Sequence, residues 1–244
     1  FYECVPPPAG LIAWWPLDET GFPPAADLQG GHSGFWFGTP NPVPGQVDGC
    51  YEFHTGFVAV PPAAALGIGT SDFSIDAWIR PDVNQSSPVV AKIEDFDAPG
   101  TGYVLYLNDK NRLCVALRDA SGLLQAESDH EVAIGDWNFV AVTVDRDQAV
   151  GGGRLYVNDQ VTVFDLPPLV SSLSNLKPLL IGHQPPSTAG AAWEGDFLGA
   201  IDEVELFGVV VPEPDLLAIL EAQIAGKCKT PSFDIPDVGI GTIS

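Results

Sequence analysis

The run FSIDAWIRP, residues 73–81, alternates without a break: Phe73, Ile75, Ala77 and Ile79 share one side, and Ser74, Asp76, Trp78 and Arg80 share the other. A period of two marks a strand with one face turned to a core. Comparable apolar runs recur at residues 11–15, 35–38, 50–54, 57–60, 89–93, 103–108, 112–118, 137–145, 154–157, 160–164, 179–182 and 197–207. Turn chemistry separates them, in Pro40 to Gly45, Asp109 to Asn111, Gly151-Gly152-Gly153 and Asn158-Asp159. Helical periodicity is almost absent before residue 212, so the chain is all-β, an antiparallel sandwich or barrel rather than βαβ units.

One helix is expected, over PEPDLLAILEAQIAGKC. Pro214 lies near its first turn, Glu213 and Asp215 suit the helix N-terminus, and Gly226 stands where a C-cap belongs. It ends at Cys228. Four cysteines allow three pairings, and none forms a CxxC pair that would point to zinc or redox chemistry. Cys4 and Cys228 bracket nearly the whole chain, so a bond between them ties its ends together and leaves Cys50 to pair with Cys114. Such bonds imply an oxidising compartment, secreted or cell surface. The expected division is one domain over residues 1–228 and a tail or linker over 229–244, whose weak alternation at Ile235, Val238, Ile240 and Ile243 suits strand pairing with a neighbouring copy, in a homo-oligomer or filament.

Thirty-two acidic residues against 10 basic ones give a formal charge of -22. Such a surface repels nucleic acid and anionic membranes and suits a cation such as Ca²⁺. No run is apolar enough for membrane insertion. The chain contains no Met and starts at Phe1, which a removed secretion signal would explain. Residues 18–34, DETGFPPAADLQGGHSG, read as a loop that carries something.

The stretch GAIDEVELFG, residues 199–208, concentrates charge on a strand. Strict alternation puts Glu203 and Glu205 on one face and Asp202 on the other. A retaining glycoside hydrolase needs two carboxylates about 5 to 5.5 Å apart, and Glu203 with Glu205 is the nearest match. Ala200 stands where laminarinase-type enzymes place a further carboxylate, and the pair reads better as a solvated edge.

Several segments taken in order resemble the LamG-like jelly-roll domains of secreted bacterial proteins, within the concanavalin A-like lectin/glucanase superfamily. They are CVPPPAGLIAWWPLDE at 4–19, PGQVDGCYEF at 44–53, DFSIDAWIRP at 72–81, GDWNFVAVTVD at 135–145, LYVND at 155–159, PLLIG at 178–182, GDFLGAIDEVELFG at 195–208 and LAILEAQIAGKC at 217–228. The resemblance implies a two-sheet antiparallel jelly-roll sandwich with a short C-terminal helix. It implies adhesion or glycan binding more often than catalysis, with a glycan or an extracellular protein as partner. It also implies a structural Ca²⁺ tying the N-terminal loop to the acidic strand, with Asp27 and Asp202 as side-chain ligands, carbonyls from Gly30 or His32, and Asp18 as a further candidate. The fallback is a loop held by Asp-to-backbone hydrogen bonds without metal.

For sugar stacking the candidates are Trp36, Trp78, Trp193 and Tyr103, while Trp14, Trp15 and Trp137 read as core. The histidines stand alone, and neither GxSxG nor HExxH occurs. The chain therefore reads as a non-enzymatic binding module, with assembly into a surface layer or filament as the alternative and a glycoside hydrolase third.

Overall fold

The computed structural model describes residues 3–21, 24–39, 41–94, 100–166, 171–184 and 195–229. Trp193 and tail residues 230–244 lie outside them. Two antiparallel sheets pack face to face. The first has eight strands. Its continuous path runs β13 (Gln160–Phe164), β12 (Gly153–Val157), β11 (Asn138–Val144), β6 (Phe73–Pro81), β17 (Gly199–Phe207), β4 (Gly49–Phe53), β3 (Asn41–Pro44), and β1 (Leu11–Trp15) also pairs with β17. The second has seven: β10 (Gly122–Glu131), β9 (Arg112–Asp119), β8 (Gly102–Leu107), β7 (Ser87–Ile93), β14 (Leu179–Ile181), β5 (Gly56–Val60), β2 (Phe35–Gly38). A two-residue pairing of β15 (His183–Gln184) with β16 (Gly195–Asp196) follows β14.

The strands missed in the sequence are edges. β10, GLLQAESDHE, is polar along most of its length because it pairs only with β9 and leaves its other side to solvent. β3, NPVP, was expected as a turn. Prolines survive in a strand with one neighbour, where a missing N–H interrupts no second ladder.

The side chains that alternate inward from both sheets fill one core, among them Trp15, Tyr51, Phe53, Phe73, Ile75, Tyr103, Leu105, Val140, Val142, Ile181 and Leu206. A second apolar cluster lies on the outer face of the first sheet. Trp78, Phe139, Tyr156 and Phe207 form its floor, and Val211, just before the C-terminal helix α1 (Glu213–Ala222), covers it together with Leu216 and Ile219 from the helix itself. The alternation thus placed Trp78 on the outer face correctly. The helix then buries it, and it stays only 3% exposed with its edge against Phe139. Tyr103 is 1% exposed in the main core and donates its hydroxyl to Leu66 O. Neither can stack on a sugar, which removes both from the ligand-binding candidates.

After α1 the chain returns across the N-terminal segment. Val5 pairs in parallel with Lys227, and Cys228 N–H donates to Val5 O at 2.8 Å. The disulfide joins Cys4 to Cys228 over a separation of 224 residues. Cys50 and Cys114 do not pair. Cys50 lies on β4 of one sheet and Cys114 on β9 of the other, both are buried free thiols, and burial pushes each thiol up to about 12. Among the described residues no helix is long and apolar enough to cross a membrane.

In the chain-entropy model a loop of this length stabilises the fold by roughly 5 kcal/mol. Reduction should therefore cost up to that amount in denaturant unfolding. Iodoacetamide should label neither Cys50 nor Cys114 in the native oxidised protein and both after denaturation; rapid native labelling would refute the buried, unpaired assignment.

Candidate cation site on the outer face of the first sheet

Strand β17 does not keep strict alternation. Asp202 pairs with Trp78 and Glu205 with Asp76, so Glu203 and Val204 together stand opposite the single Ala77. This is a β-bulge, and Glu203 adopts a φ of 52°, in the left-handed region. The bulge resets the parity of the strand. Ile201 and Val204, three residues apart, both reach the inner core, and Asp202, Glu203 and Glu205 gather on the opposite side. They are buried, which corrects two expectations: that Asp202 faces away from the glutamates, and that the glutamates form a solvated edge.

What buries them is the returning C-terminal segment. Lys227 Nζ lies 2.6 Å from Glu205 Oε1 and 3.4 Å from Glu203 Oε2, and 5.2 Å from the centre of the Trp14 ring. Trp14 Nε1 donates to Glu203 Oε2 at 2.8 Å. Lys229 Nζ lies 2.6 Å from Asp18 Oδ2, 3.0 Å from Asp48 Oδ2 and 3.0 Å from Glu203 Oε1. Asp202 Oδ2 accepts from Val47 N–H at 2.9 Å, while its other oxygen, equally buried, has no hydrogen-bond partner. A buried lone carboxylate oxygen is costly, and a cation or a proton answers it.

Carboxyl oxygens of Asp18, Asp202 and Glu203 lie within 4.8 Å of one another, so this group can hold a metal ion. Two members, Asp18 and Asp202, were candidates from the sequence, and Glu203 replaces Asp27. Asp27 is saturated instead. It accepts from the backbone N–H groups of Trp14, Gln29, Gly30 and His32 and meets His32 Nδ1 at 3.0 Å. Burial pushes its carboxyl up, but these donors together hold it below the usual range. Asp27 thus organises the loop, with Gly30 and His32 as its donors rather than as companion ligands. Trp36, the remaining described sugar candidate, packs its ring 3.9 Å from Tyr51 and against the core.

Six carboxyl groups, Asp18, Asp48, Asp76, Asp202, Glu203 and Glu205, face two ammonium groups, Lys227 and Lys229. Burial, and then the neighbouring Glu203, raises Asp202 well above its ordinary value. Burial, and then Asp76, does the same to Glu205. Burial carries Asp76, opposite Glu205 in the ladder, to about 6 against the opposing pull of Lys227. Burial opposes the charge on both lysines, yet the surrounding carboxylates raise Lys227 and Lys229 overall. The folded protein therefore holds protons that the unfolded chain releases. Stability from Asp76 is fully present below its unfolded value near 4 and is lost as pH rises through about 6. Asp76→Asn should flatten the decline in urea-unfolding free energy between pH 4 and 7 by up to about 3 kcal/mol. Equal slopes in the two proteins would refute the assignment.

Lys227, Lys229 and Asp76 were not singled out from the sequence. One signal was available: apolar Ile201 and Val204 break the period of two, and a bulge is what reconciles them.

A family model described as the concanavalin A-like lectin/glucanases superfamily, of laminin G type, matches residues 54–216. Among curated proteins none matches the chain. Several solved structures share the fold at low identity. The binding domain of Paraclostridial Mosquitocidal Protein 1 superposes with a TM-score of 0.65 at 15% identity, over 86% of this chain and 52% of that one. Domain 4 of AbnA, a GH43 extracellular arabinanase from Geobacillus stearothermophilus, was solved in complex with arabinotriose. It superposes at 0.65 and 14% identity, over 89% of this chain and 100% of that one. The binding domain of botulinum neurotoxin DC in complex with SialylT superposes at 0.61 and 14% identity, over 88% and 52%. The chain spans about half the length of the two toxin fragments and the full length of the arabinanase domain. With the sandwich, its C-terminal helix and the sequence match in agreement, the chain belongs to the concanavalin A-like lectin/glucanases superfamily.

Proposed function

We propose that this protein is a secreted, non-catalytic carbohydrate-binding or adhesion module whose outer-face carboxylates hold a structural Ca²⁺. The observation that carries the non-catalytic reading is the burial of the acidic strand. Glu203 and Glu205 are closed off beneath Lys227 and Trp14, so neither carboxylate has a path to a glycosidic bond. Support for glycan binding comes from the likeness to an arabinanase domain that holds arabinotriose and to a toxin binding domain that holds SialylT. The disulfide supports an extracellular site of action.

Calcium prefers carboxylate and carbonyl oxygens, and Asp18, Asp202 and Glu203 offer them around the unpartnered Asp202 oxygen. Bound there, the ion ties the segment after β1 to the central strand β17. Lys229 meets the same carboxylates through its ammonium, so metal and lysine compete, and the lysine, partly exposed on a flexible stem, is the one able to move.

Binding to an immobilised panel of neutral and acidic glycans tests the first claim; no binding by folded protein, or turnover of any of them, would overturn it. For the second, Ca²⁺ should raise the melting temperature over a chelated sample. Lys229→Ala should tighten Ca²⁺ binding by roughly tenfold, about 1.4 kcal/mol, in isothermal titration. Melting curves indifferent to Ca²⁺ in both proteins would refute the site.

A further inference from the structure

At the β2 edge the outer face of the second sheet carries a strip of rings with no role in the core. β2 pairs with β5 so that Phe35 stands opposite Ala59, Trp36 opposite Val58 and Phe37 opposite Phe57. Trp36 and Val58 pack inward, so Phe35, Phe37 and Phe57 point out. Phe35 is 53% and Phe37 50% exposed. The Phe37 ring stacks on Phe57 with centroids 5.0 Å apart and planes 10° from parallel. Phe57 in turn stacks on His183 at 4.3 Å and 14°. The row ends in a polar group: His183 Nδ1 meets Asp196 Oδ1 at 2.6 Å across the β15/β16 pairing, and the Asp196 side chain is 40% exposed.

Single exposed apolar residues are ordinary, but ordered, adjacent, half-exposed aromatics on an edge strand are a liability unless something covers them. Near-parallel rings ending at an imidazole and a carboxylate match one ligand chemistry closely. A sugar ring offers a flat C–H face to an aromatic and hydroxyls to polar groups at its margin. The surrounding charge narrows the class. Asp82 hydrogen-bonds through its backbone to Leu198, two residues from Asp196, and its carboxylate engages His54 at 2.9 Å. On the neighbouring ends of β4 and β6, Arg80 is engaged by Glu52 at 2.9 Å and lies over the Trp137 ring. The rim is therefore rich in acceptors and its cation is committed, a field that repels carboxylated or sulfated sugars in a chain of charge -22.

We propose that Phe37, Phe57, His183 and Asp196 form a binding strip for a neutral oligosaccharide, with one sugar ring on the free face of Phe37 and a hydroxyl of a ring further along the same chain donated to Asp196 at the other end of the stack. The proposal rests on the glycan-binding reading above and locates it on the second sheet, across the sandwich from the carboxylate cluster.

The test is titration of the chain with arabinotriose, cellotriose and, as an acidic counterpart, sialyllactose, followed by aromatic ¹H–¹³C NMR. A neutral trisaccharide should shift the Phe37, Phe57 and His183 resonances and bind at least tenfold more tightly than sialyllactose. Phe37→Ala should weaken it at least tenfold with an unchanged melting temperature, Phe37→Trp should retain it, and Asp196→Asn should weaken it. Neutral sugar binding that leaves these resonances still and survives Phe37→Ala would overturn the subsite while leaving the glycan reading intact. Absence of binding to either neutral trisaccharide would overturn the subsite, and the glycan reading falls as well only if the immobilised panel is also negative. A wild type that self-associates through this edge, with Phe37→Ala abolishing dimers instead of sugar binding, would assign the strip to a second copy of the chain and overturn the proposal.

Discussion

Charge buried on the central strand is the constraint around which the two ends of the chain are arranged. β17 sits between β6 and β4 and also carries β1, and the segment after α1 closes over its outer side, so the carboxylates there are cut off from water. Asp202, Glu203 and Glu205 there require cations or protons, and the chain brings Lys227 and Lys229 back to them from the segment that follows α1. The parallel bridge from Val5 to Lys227 and the disulfide beside it hold those lysines in place. Closure of the domain and neutralisation of its acidic strand are thus one event. Removing a partner from such a cluster leaves an uncompensated buried charge, which is much costlier than exchanging an exposed ion pair.

The two outer faces of the sandwich are treated differently. On the first sheet, α1 and the returning segment cover Trp78, Phe139 and the carboxylates. On the second, the β2 edge leaves Phe35 and Phe37 half exposed. In the reading proposed above, the closed face carries the stability and the aromatic edge the recognition. Changes at the rings can then alter ligand choice without disturbing the ion cluster.

The main strands of both sheets were legible in the sequence because an alternating run such as FSIDAWIRP admits few other structures, and Pro214 and Gly226 marked the region of the single helix. Edges were harder: β10 is mostly polar, and its inward face is carried only by Leu124, Ala126 and Ser128, too weak an alternation to mark a strand in the sequence. The candidate site was half legible. Asp18 and Asp202 could be named, but Glu203 enters only through a left-handed bulge, Lys227 only through the return of the chain after α1, and Lys229 through that return together with a contact to Asp18, 211 residues earlier. Asp27 failed as a metal candidate because five donors from Trp14 to His32 already fill its oxygens, a local competition that residue type alone does not reveal. Trp78 was oriented correctly and still misjudged, since alternation says which face a residue takes and not what later covers it.

The unpaired thiols bear on how this chain is made. Synthesis proceeds from the N-terminus, so Cys4, Cys50 and Cys114 all exist before Cys228, the partner that Cys4 keeps in the finished molecule. In an oxidising compartment these three thiols have no correct bond to form among themselves. Folding of β4 and β9 into their sheets withdraws Cys50 and Cys114 and raises both thiols far from their reactive form. Where sheet formation runs ahead of oxidation, burial of Cys50 and Cys114 leaves Cys4 and Cys228 as the pair to form.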